Sequence, residues 1–347
     1  MYDFILMETM KIFKYMAMMA CSAMVAVSAV SCHKSSDDDD YEYMDGTLSF
    51  ELPGFLESGA EIELTPSGVT YGSAKKTPGY YWYTSENSTR DTTRLEGDPA
   101  GVTGKFLLQI PEDFTGALTV TCSAFADGYY LRTQSSTVEV VNQETSLSVP
   151  GLSDTDPMFT DSRDGKKYRY VSINGLDWFA RNLSYTGGTP ALGTELLRDL
   201  FGTFYTWNEA KDACPEGWRL PKAEDWKSLA TGLGATPADG YATFRGIAGK
   251  LMADGSFNGD KLWEFNNSVK LTGESGFAAL PFGYANIDGT SSQFADFYNY
   301  SVFWTADELN DEQAYYRYLY VASPDVNIST GHKNSFAVPV RCVRESL

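Results

Sequence analysis

The stretch from Ala213 to Pro221, which reads Ala-Cys-Pro-Glu-Gly-Trp-Arg-Leu-Pro, decides how the second half of this chain folds. Trp207, Ala210 and Cys214 lie at helical spacing, so one face of a short helix is predicted to carry the cysteine inward. Pro215 then ends that helix, because an interior proline removes a hydrogen bond and clashes with the preceding turn. The stretch is therefore predicted to connect one short helix to the next.

A second helix is predicted directly after Pro221. Glu224 and Asp225 lie in its first turn, where negative charge is favourable near the positive end of the helix dipole. The helix is predicted to end at Gly234. Its apolar stripe, spaced to face a core, comprises Trp226, Leu229, Ala230 and Leu233.

Further motifs accompany this stretch from about residue 165 to the C-terminus. They are Tyr168 to Val171, Trp178 to Leu183, Phe204 to Ala210, Glu224 to Trp226, Gly276 to Tyr284, Phe303 to Ala306, Tyr315 to Leu319 and Arg341 to Val343. In this order they resemble the Fibrobacter succinogenes major paralogous domain, found in many exported proteins of Bacteroidetes and Fibrobacteres. The resemblance implies, over residues 165–347, an α+β fold similar to C-type-lectin-like domains and formylglycine-generating enzymes.

The resemblance also implies a disulfide between Cys214 and Cys342, as the equivalent pair forms in C-type-lectin-like domains. An oxidising cell envelope favours such a bond. On the chain-entropy model, closing a loop of more than a hundred residues contributes roughly 4 to 5 kcal/mol. Two free buried thiols are the alternative.

Residues 46–144 are predicted to form an all-β immunoglobulin-like sandwich, because they contain several short strands at regular spacing. Trp82 resembles the core tryptophan of such sandwiches. Cys122 has no partner in this unit and is expected to be a buried thiol. The predicted strands lie within Thr47 to Leu52, Glu61 to Leu64, Lys105 to Ile110, Ala117 to Cys122 and Ser136 to Val141.

Residues 145–164 are predicted as an interdomain linker, since they are polar and contain the pairs Pro150-Gly151 and Asp156-Pro157. The expected fold class is thus an all-β Ig-like sandwich followed by an α+β C-type-lectin-like domain.

The first 31 residues are predicted as a lipoprotein signal peptide. The apolar run from Met16 to Val30 is shorter than the ~20 residues that span a bilayer as a helix, and it fits the core of a secretory signal. Residues 29–32, Ala-Val-Ser-Cys, resemble a bacterial lipobox, so Cys32 is the predicted lipidation site. The alternative is an ordinary cleaved signal with Cys32 incidental.

Residues 32–45 are predicted as an acidic tether, because the run Asp37 to Asp40 cannot bury itself in a fold. The run resembles the export signal of Bacteroidetes surface lipoproteins, although a simple flexible spacer is the alternative. The expected location is the outer membrane, exposed at the cell surface and attached through the lipid.

The formal net charge of −19 bears on the choice of partner. A strongly acidic surface repels phosphate backbones, so nucleic acid is not an expected partner. The expected partners are a glycan or a surface protein, besides the membrane that holds the lipid.

No catalytic residues are predicted. The chain has two histidines, His33 and His332, and neither forms a recognisable Ser-His-Asp, Cys-His or zinc-ligand pattern. Formylglycine-generating enzymes use a reactive cysteine pair near the end of the fold, where this chain has Cys342 alone. A non-enzymatic protein is therefore expected, and an oxidase of that type is the remote alternative.

No metal or other cofactor is predicted, with calcium as the alternative. Asp254, Ser256, Asn258, Gly259 and Asp260 resemble the start of an EF-hand loop, but Glu264 comes one place too early for the bidentate position. The segment is interpreted as a glycine-rich turn. The calcium-binding triplets usual in C-type lectins do not occur in the chain.

The predicted ligand-binding residues are Phe294, Phe297, Tyr298 and Tyr300. Exposed aromatic rings can stack on sugars or pack against a protein partner, although core packing is the alternative. Tyr316, Tyr318 and Tyr320 are predicted to share one face of a strand. The leading hypothesis is a surface-anchored lipoprotein that binds a glycan or a surface protein. The second is a structural or fimbrial-tip subunit that binds a protein partner.

Overall fold

This computed structural model of the protein describes residues 41–86, 92–93, 104–151 and 155–346. The predicted signal peptide, Cys32 and most of the tether therefore lie outside the described residues. The chain divides into two compact units, Met1–Asn142 and Gln143–Leu347. The described residues are predominantly β-strand, with a few short helices. None of those helices has the length and apolar character needed to cross a membrane.

The described part of the first unit contains nine strands. Five of them form a sheet of order β2-β9-β8-β5-β6, while β1 pairs with β4 and β3 pairs with β7. The strands are β1 (Asp45–Ser49), β2 (Phe55–Glu57), β3 (Glu61–Leu64), β4 (Ser67–Thr70), β5 (Gly79–Glu86), β6 (Thr92–Thr93), β7 (Phe106–Gln109), β8 (Gly116–Phe125) and β9 (Arg132–Val141).

Trp82 lies in the core of this unit, as the sequence predicts. Its ring packs against Phe106 and Phe50, with ring centroids 5.5 and 5.0 Å apart, and its Nε1–H donates to the carbonyl oxygen of Gly104 at 2.9 Å. Met44 is buried in the same core. The unit therefore begins before residue 46, inside the predicted tether, because the apolar side chain of Met44, just after the acidic run, packs in the core.

Cys122 is a buried free thiol, and burial raises its pKa to about 12. Because the thiolate is the reactive form, we expect no reaction with Ellman's reagent at pH 8 while the protein is folded. In guanidinium, the chain from Tyr41 onward should release one thiol equivalent, and Cys122→Ala should release none. Fast reaction of the native protein would contradict a closed core around this residue.

The described part of the second unit contains fifteen strands and four short α-helices. The strands are β10 (Leu147–Ser148), β11 (Met158–Thr160), β12 (Lys167–Ile173), β13 (Leu176–Phe179), β14 (Thr189–Pro190), β15 (Thr203–Thr206), β16 (Ser256–Phe257), β17 (Asp260–Lys261), β18 (Tyr284–Asp288), β19 (Ser291–Ala295), β20 (Tyr300–Glu308), β21 (Gln313–Tyr320), β22 (Val326–His332), β23 (Phe336–Pro339) and β24 (Val343–Glu345). The helices are α1 (Arg198–Phe201), α2 (Trp207–Ala210), α3 (Ala223–Gly232) and α4 (Ala248–Leu251), with 3-10 turns at Ala191–Gly193 and Glu195–Leu197.

Among its described residues, this unit has four sheets. Their strand orders are β14-β15-β23-β18-β19, β11-β12-β13-β24, β20-β21-β22 and β10-β16-β17. The segment 145–164, predicted as a linker, carries β10 and β11, which pair with β16 and β12. This segment belongs to the second unit because main-chain hydrogen bonds join its short edge strands to the sheets. Main-chain bonds do not depend on residue type, so amino-acid composition does not reveal them.

The helix predicted after Pro221 is α3. The main-chain N–H of Lys222 donates to the Asp225 carboxylate at 2.6 Å, which caps its first turn. Trp226, Leu229 and Ala230 are buried in the main core of the unit. The earlier helix, α2, is shorter than predicted and ends at Ala210, so the cysteine of the predicted face lies in the turn that follows.

Candidate functional site

The candidate site lies on one face of the β20-β21-β22 sheet. In its register Tyr300 lies opposite Tyr320 and Trp304 lies opposite Tyr316, and residues directly opposite share a face. The alternate side chains, including Phe303 and Leu319, are buried in the core on the other face. Strand alternation therefore places Tyr300, Tyr316 and Tyr318 on the other face, where they pack against a second core that contains the buried Trp304. Tyr320, at the end of β21, also packs against the first core.

Six half-buried rings form a continuous surface here, which we call the tyrosine face. Ring centroids are 4.7 Å apart for Tyr300 and Tyr320, 5.9 Å for Tyr300 and Tyr318, and 6.1 Å for Tyr318 and Tyr316. The contacts continue from Tyr316 to Phe336 at 5.0 Å and from Phe336 to Tyr284 at 5.2 Å. The members are Tyr284, Tyr300, Tyr316, Tyr318, Tyr320 and Phe336, each partly accessible to solvent.

Polar side chains border the rings. Asn286 on β18 lies opposite both Gln293 on β19 and Phe336 on β23, so the two amides and the ring share a face. Both amide side chains are exposed. On β22, Asn327 lies opposite Tyr318. The site thus combines aromatic rings with neutral hydrogen-bonding groups.

Trp304 lies beside Tyr316 on the same face of the sheet, in the second core against which the tyrosine face packs. It is fully buried, and its Nε1–H donates to the carbonyl oxygen of Tyr205 at 2.9 Å. Its ring lies 6.0 Å from Tyr316 and 5.6 Å from Phe336. The buried Trp304 ring therefore limits the motion of Tyr316 and Phe336, so these two rings lose little freedom when a ligand binds.

Asp296 lies at the edge of the face, between β19 and β20. It follows Ala295, which lies opposite Tyr284 in the β18-β19 register, and burial together with the negative charge of Asp296 raises the pKa of Tyr284 to about 12. Burial, followed by the neighbouring Tyr320 and Asp296, also raises the pKa of Tyr300. Both phenols therefore keep their protons at neutral pH.

Cys214 and Cys342 form a disulfide, with Cα atoms 5.8 Å apart. The pairing predicted from the sequence is confirmed, and the alternative of two free thiols is wrong. The bond ties the turn after α2 to the residue before β24.

The family model of the Fibrobacter succinogenes major domain matches residues 171–344, half of the 347-residue chain. The chain belongs to this family. No curated protein has a sequence that matches the chain. Among solved structures, a superoxide reductase (neelaredoxin) from Ignicoccus hospitalis is 12% identical and matches 28% of this chain and 81% of its own, with a TM-score of 0.21. That score is too low to carry an argument about fold or function.

Within this Fibrobacter succinogenes major domain, one of the four predicted ligand-binding residues, Tyr300, lies on the tyrosine face. Phe294 points to the opposite side of β19 from Gln293 and packs against the buried Phe204, with centroids 5.2 Å apart. Phe297 packs near the buried Phe282, at 6.1 Å. The segment is thus partly core, and strand alternation decides which of its rings face out.

Tyr298, the fourth predicted residue, is held through its main chain. Its N–H donates to the carbonyl oxygen of Pro281 at 2.9 Å, and its φ of 70° lies in the left-handed region. The residues that the four predictions missed include Tyr284, Asn286 and Phe336. Tyr284 and Asn286 alternate along one short strand, which was the available signal, whereas Phe336 reaches the site through strand pairing alone.

The EF-hand-like segment of the domain is a β-hairpin. Asn258 and Gly259 form its turn with φ of 48° and 84°, as expected for an Asn-Gly pair between two short strands. The carboxylate of Asp254 lies 2.6 Å from Nζ of Lys261. In the described part of the chain, no group of three or more His, Cys, Asp or Glu residues is arranged to hold a metal ion.

Proposed function

We propose that this protein is a surface-anchored, non-enzymatic lipoprotein that binds a glycan through the tyrosine face. The observation that carries the proposal is the continuous set of half-buried rings from Tyr320 to Tyr284, bordered by the exposed amides of Asn286 and Gln293. The C–H faces of a sugar ring pack against aromatic side chains, and amides bond to its hydroxyl groups. This surface offers both kinds of contact.

The sequence supports the anchoring part of the proposal. Residues 29–32 resemble a lipobox, and an acidic run follows Cys32. On this proposal, lipid on Cys32 holds the protein at the outer face of the outer membrane, and the tether separates the folded units from the bilayer.

Two features support the finer fold assignments in this proposal. The buried Trp82 within paired antiparallel strands supports an Ig-like first unit that serves as a spacer. The Cys214–Cys342 bond, from the turn after α2 to the residue before the last strand, supports a C-type-lectin-like second unit. Fold similarity to lectins is analogy, and the ligand is argued from the tyrosine face itself.

Replacing Tyr318 and Tyr320 together with alanine is expected to weaken glycan binding at least about ten-fold, because central aromatic residues carry much of a binding energy. The measurement is a glycan array with the full chain, with and without calcium, followed by titration of the strongest ligand. The control is Tyr81→Ala with Tyr83→Ala, which removes two half-buried, adjacent strand tyrosines from the first unit. The control should bind like the wild type.

Two outcomes would count against the proposal. Glycan binding that survives loss of both tyrosines in a folded variant would place the site elsewhere. No binding to any glycan, combined with tyrosine-dependent capture of a specific envelope protein, would replace the glycan proposal with an assembly-subunit function. Thermal melting of each variant shows whether it is folded.

A further inference from the structure

We infer that the ligand of the tyrosine face is an uncharged glycan, and that Asp296 is the residue that rejects acidic sugars. This inference rests on the function proposed above and names the ligand class for the same site. It follows from the charges around the rings.

The segment that builds the site, residues 284–339, has a strong excess of acidic residues. It contains two basic residues, Arg317 and Lys333, and seven acidic ones. The acidic residues are Asp288, Asp296, Asp307, Glu308, Asp311, Glu312 and Asp325. To bind here, a sugar carboxylate or sulfate would need a positively charged side chain or several hydrogen-bond donors directed at it. Whether the site accepts such a group therefore depends on these two basic residues.

Neither basic residue is available to a ligand. Arg317 is fully buried on the opposite face of β21, where its guanidinium donates to the carbonyl oxygen of Ala242 at 2.7 Å and lies 3.9 Å from the centre of the Phe244 ring. Lys333 is 5% exposed, and its amine donates to the Glu308 carboxylate and to the carbonyl oxygen of Asn310. Both cations are therefore committed to the fold.

Asp296 lies next to two members of the tyrosine face, Tyr284 and Tyr300. It directly follows Ala295, the residue opposite Tyr284 in the β18-β19 register, and its carbonyl oxygen accepts the main-chain N–H of Tyr300 at 3.1 Å. Two members of the tyrosine face thus flank one negative charge. A carboxylate at this position repels a second carboxylate or a sulfate placed on the neighbouring rings.

The test uses the full chain on an array that pairs neutral oligosaccharides with uronate, sialate and sulfate forms. We expect the wild type to bind neutral forms about ten-fold or more tightly than acidic ones. The reason is that two like charges within a few ångströms repel strongly at a partly buried site. Asp296→Asn should reduce that preference to about three-fold or less. Asn suits this position, because the φ of Asp296 is 59° and asparagine tolerates the left-handed region well.

Tyr284→Phe is the matched control. It removes the hydroxyl of the ring next to Asp296 but keeps the negative charge, so it should retain the neutral preference even if the affinity falls. Selectivity lost equally in Tyr284→Phe would show that positioning, not charge, discriminates, and would overturn the role of Asp296.

The remaining outcomes separate this inference from the proposed function. Wild-type binding to acidic glycans, as strong as or stronger than to their neutral forms, would overturn the inference and leave a glycan-binding protein. No binding to either set would overturn both. Raising the salt concentration should weaken the discrimination but not the binding of neutral ligands, since screening acts on charges.

Discussion

Replacing both Cys214 and Cys342 with serine is expected to lower the free energy of unfolding by roughly 4 to 5 kcal/mol. The two cysteines are 128 residues apart in sequence, and the chain-entropy cost of leaving so long a loop open in the unfolded state sets that figure. Cys342 is fully buried, so the substitution also places a hydroxyl in an apolar core. Few single substitutions in this unit should lower the free energy of unfolding by a larger amount.

Guanidinium denaturation of the chain from Tyr41 onward measures this loss. The control is Cys122→Ala, which removes the third cysteine of that chain without opening the bond. Reducing the wild type should reproduce most of the loss seen in the double variant. A loss below about 1 kcal/mol would show that the unfolded loop is already compact, contrary to the entropy argument.

Replacing Arg341 with methionine is expected to lower the free energy of unfolding by about 3 to 5 kcal/mol, because the change strands several buried acceptors at once. Nε donates to the Asn182 side-chain oxygen at 2.8 Å. Nη1 donates to the carbonyl oxygens of Phe179 and Phe277, and Nη2 donates to that of Ala278. A methionine fills much of the volume but satisfies none of these oxygens.

Arg245→Met is the matched control, since Arg245 is exposed and its loss should change stability by less than about 0.5 kcal/mol. Arg341→Lys should also be destabilising, because an ammonium cannot reproduce the planar set of donors. Chemical denaturation of the three variants gives the comparison. Equal stability of Arg341→Met and the wild type would mean that the acceptors find other donors in the folded protein.

Several features of this protein were determined by local sequence. The turn from Ala213 to Pro221 and the apolar stripe after it placed α3 correctly, because helical periodicity and proline act over one or two turns. The alternation of Tyr316, Tyr318 and Tyr320 likewise gave their shared face. The Cys214–Cys342 bond was predicted from the family resemblance and is present in the structure.

Other features were decided by tertiary structure alone. The tyrosine face collects rings from four strands, and whether a ring such as Phe294 or Tyr300 faces outward depends on the element that covers the other side of its strand. Residues 145–164 look like a linker by composition, yet the two strands they contain, β10 and β11, join sheets through main-chain hydrogen bonds. Periodicity fixes which side chains lie together on one face, but the packing of distant segments determines whether that face is buried or open.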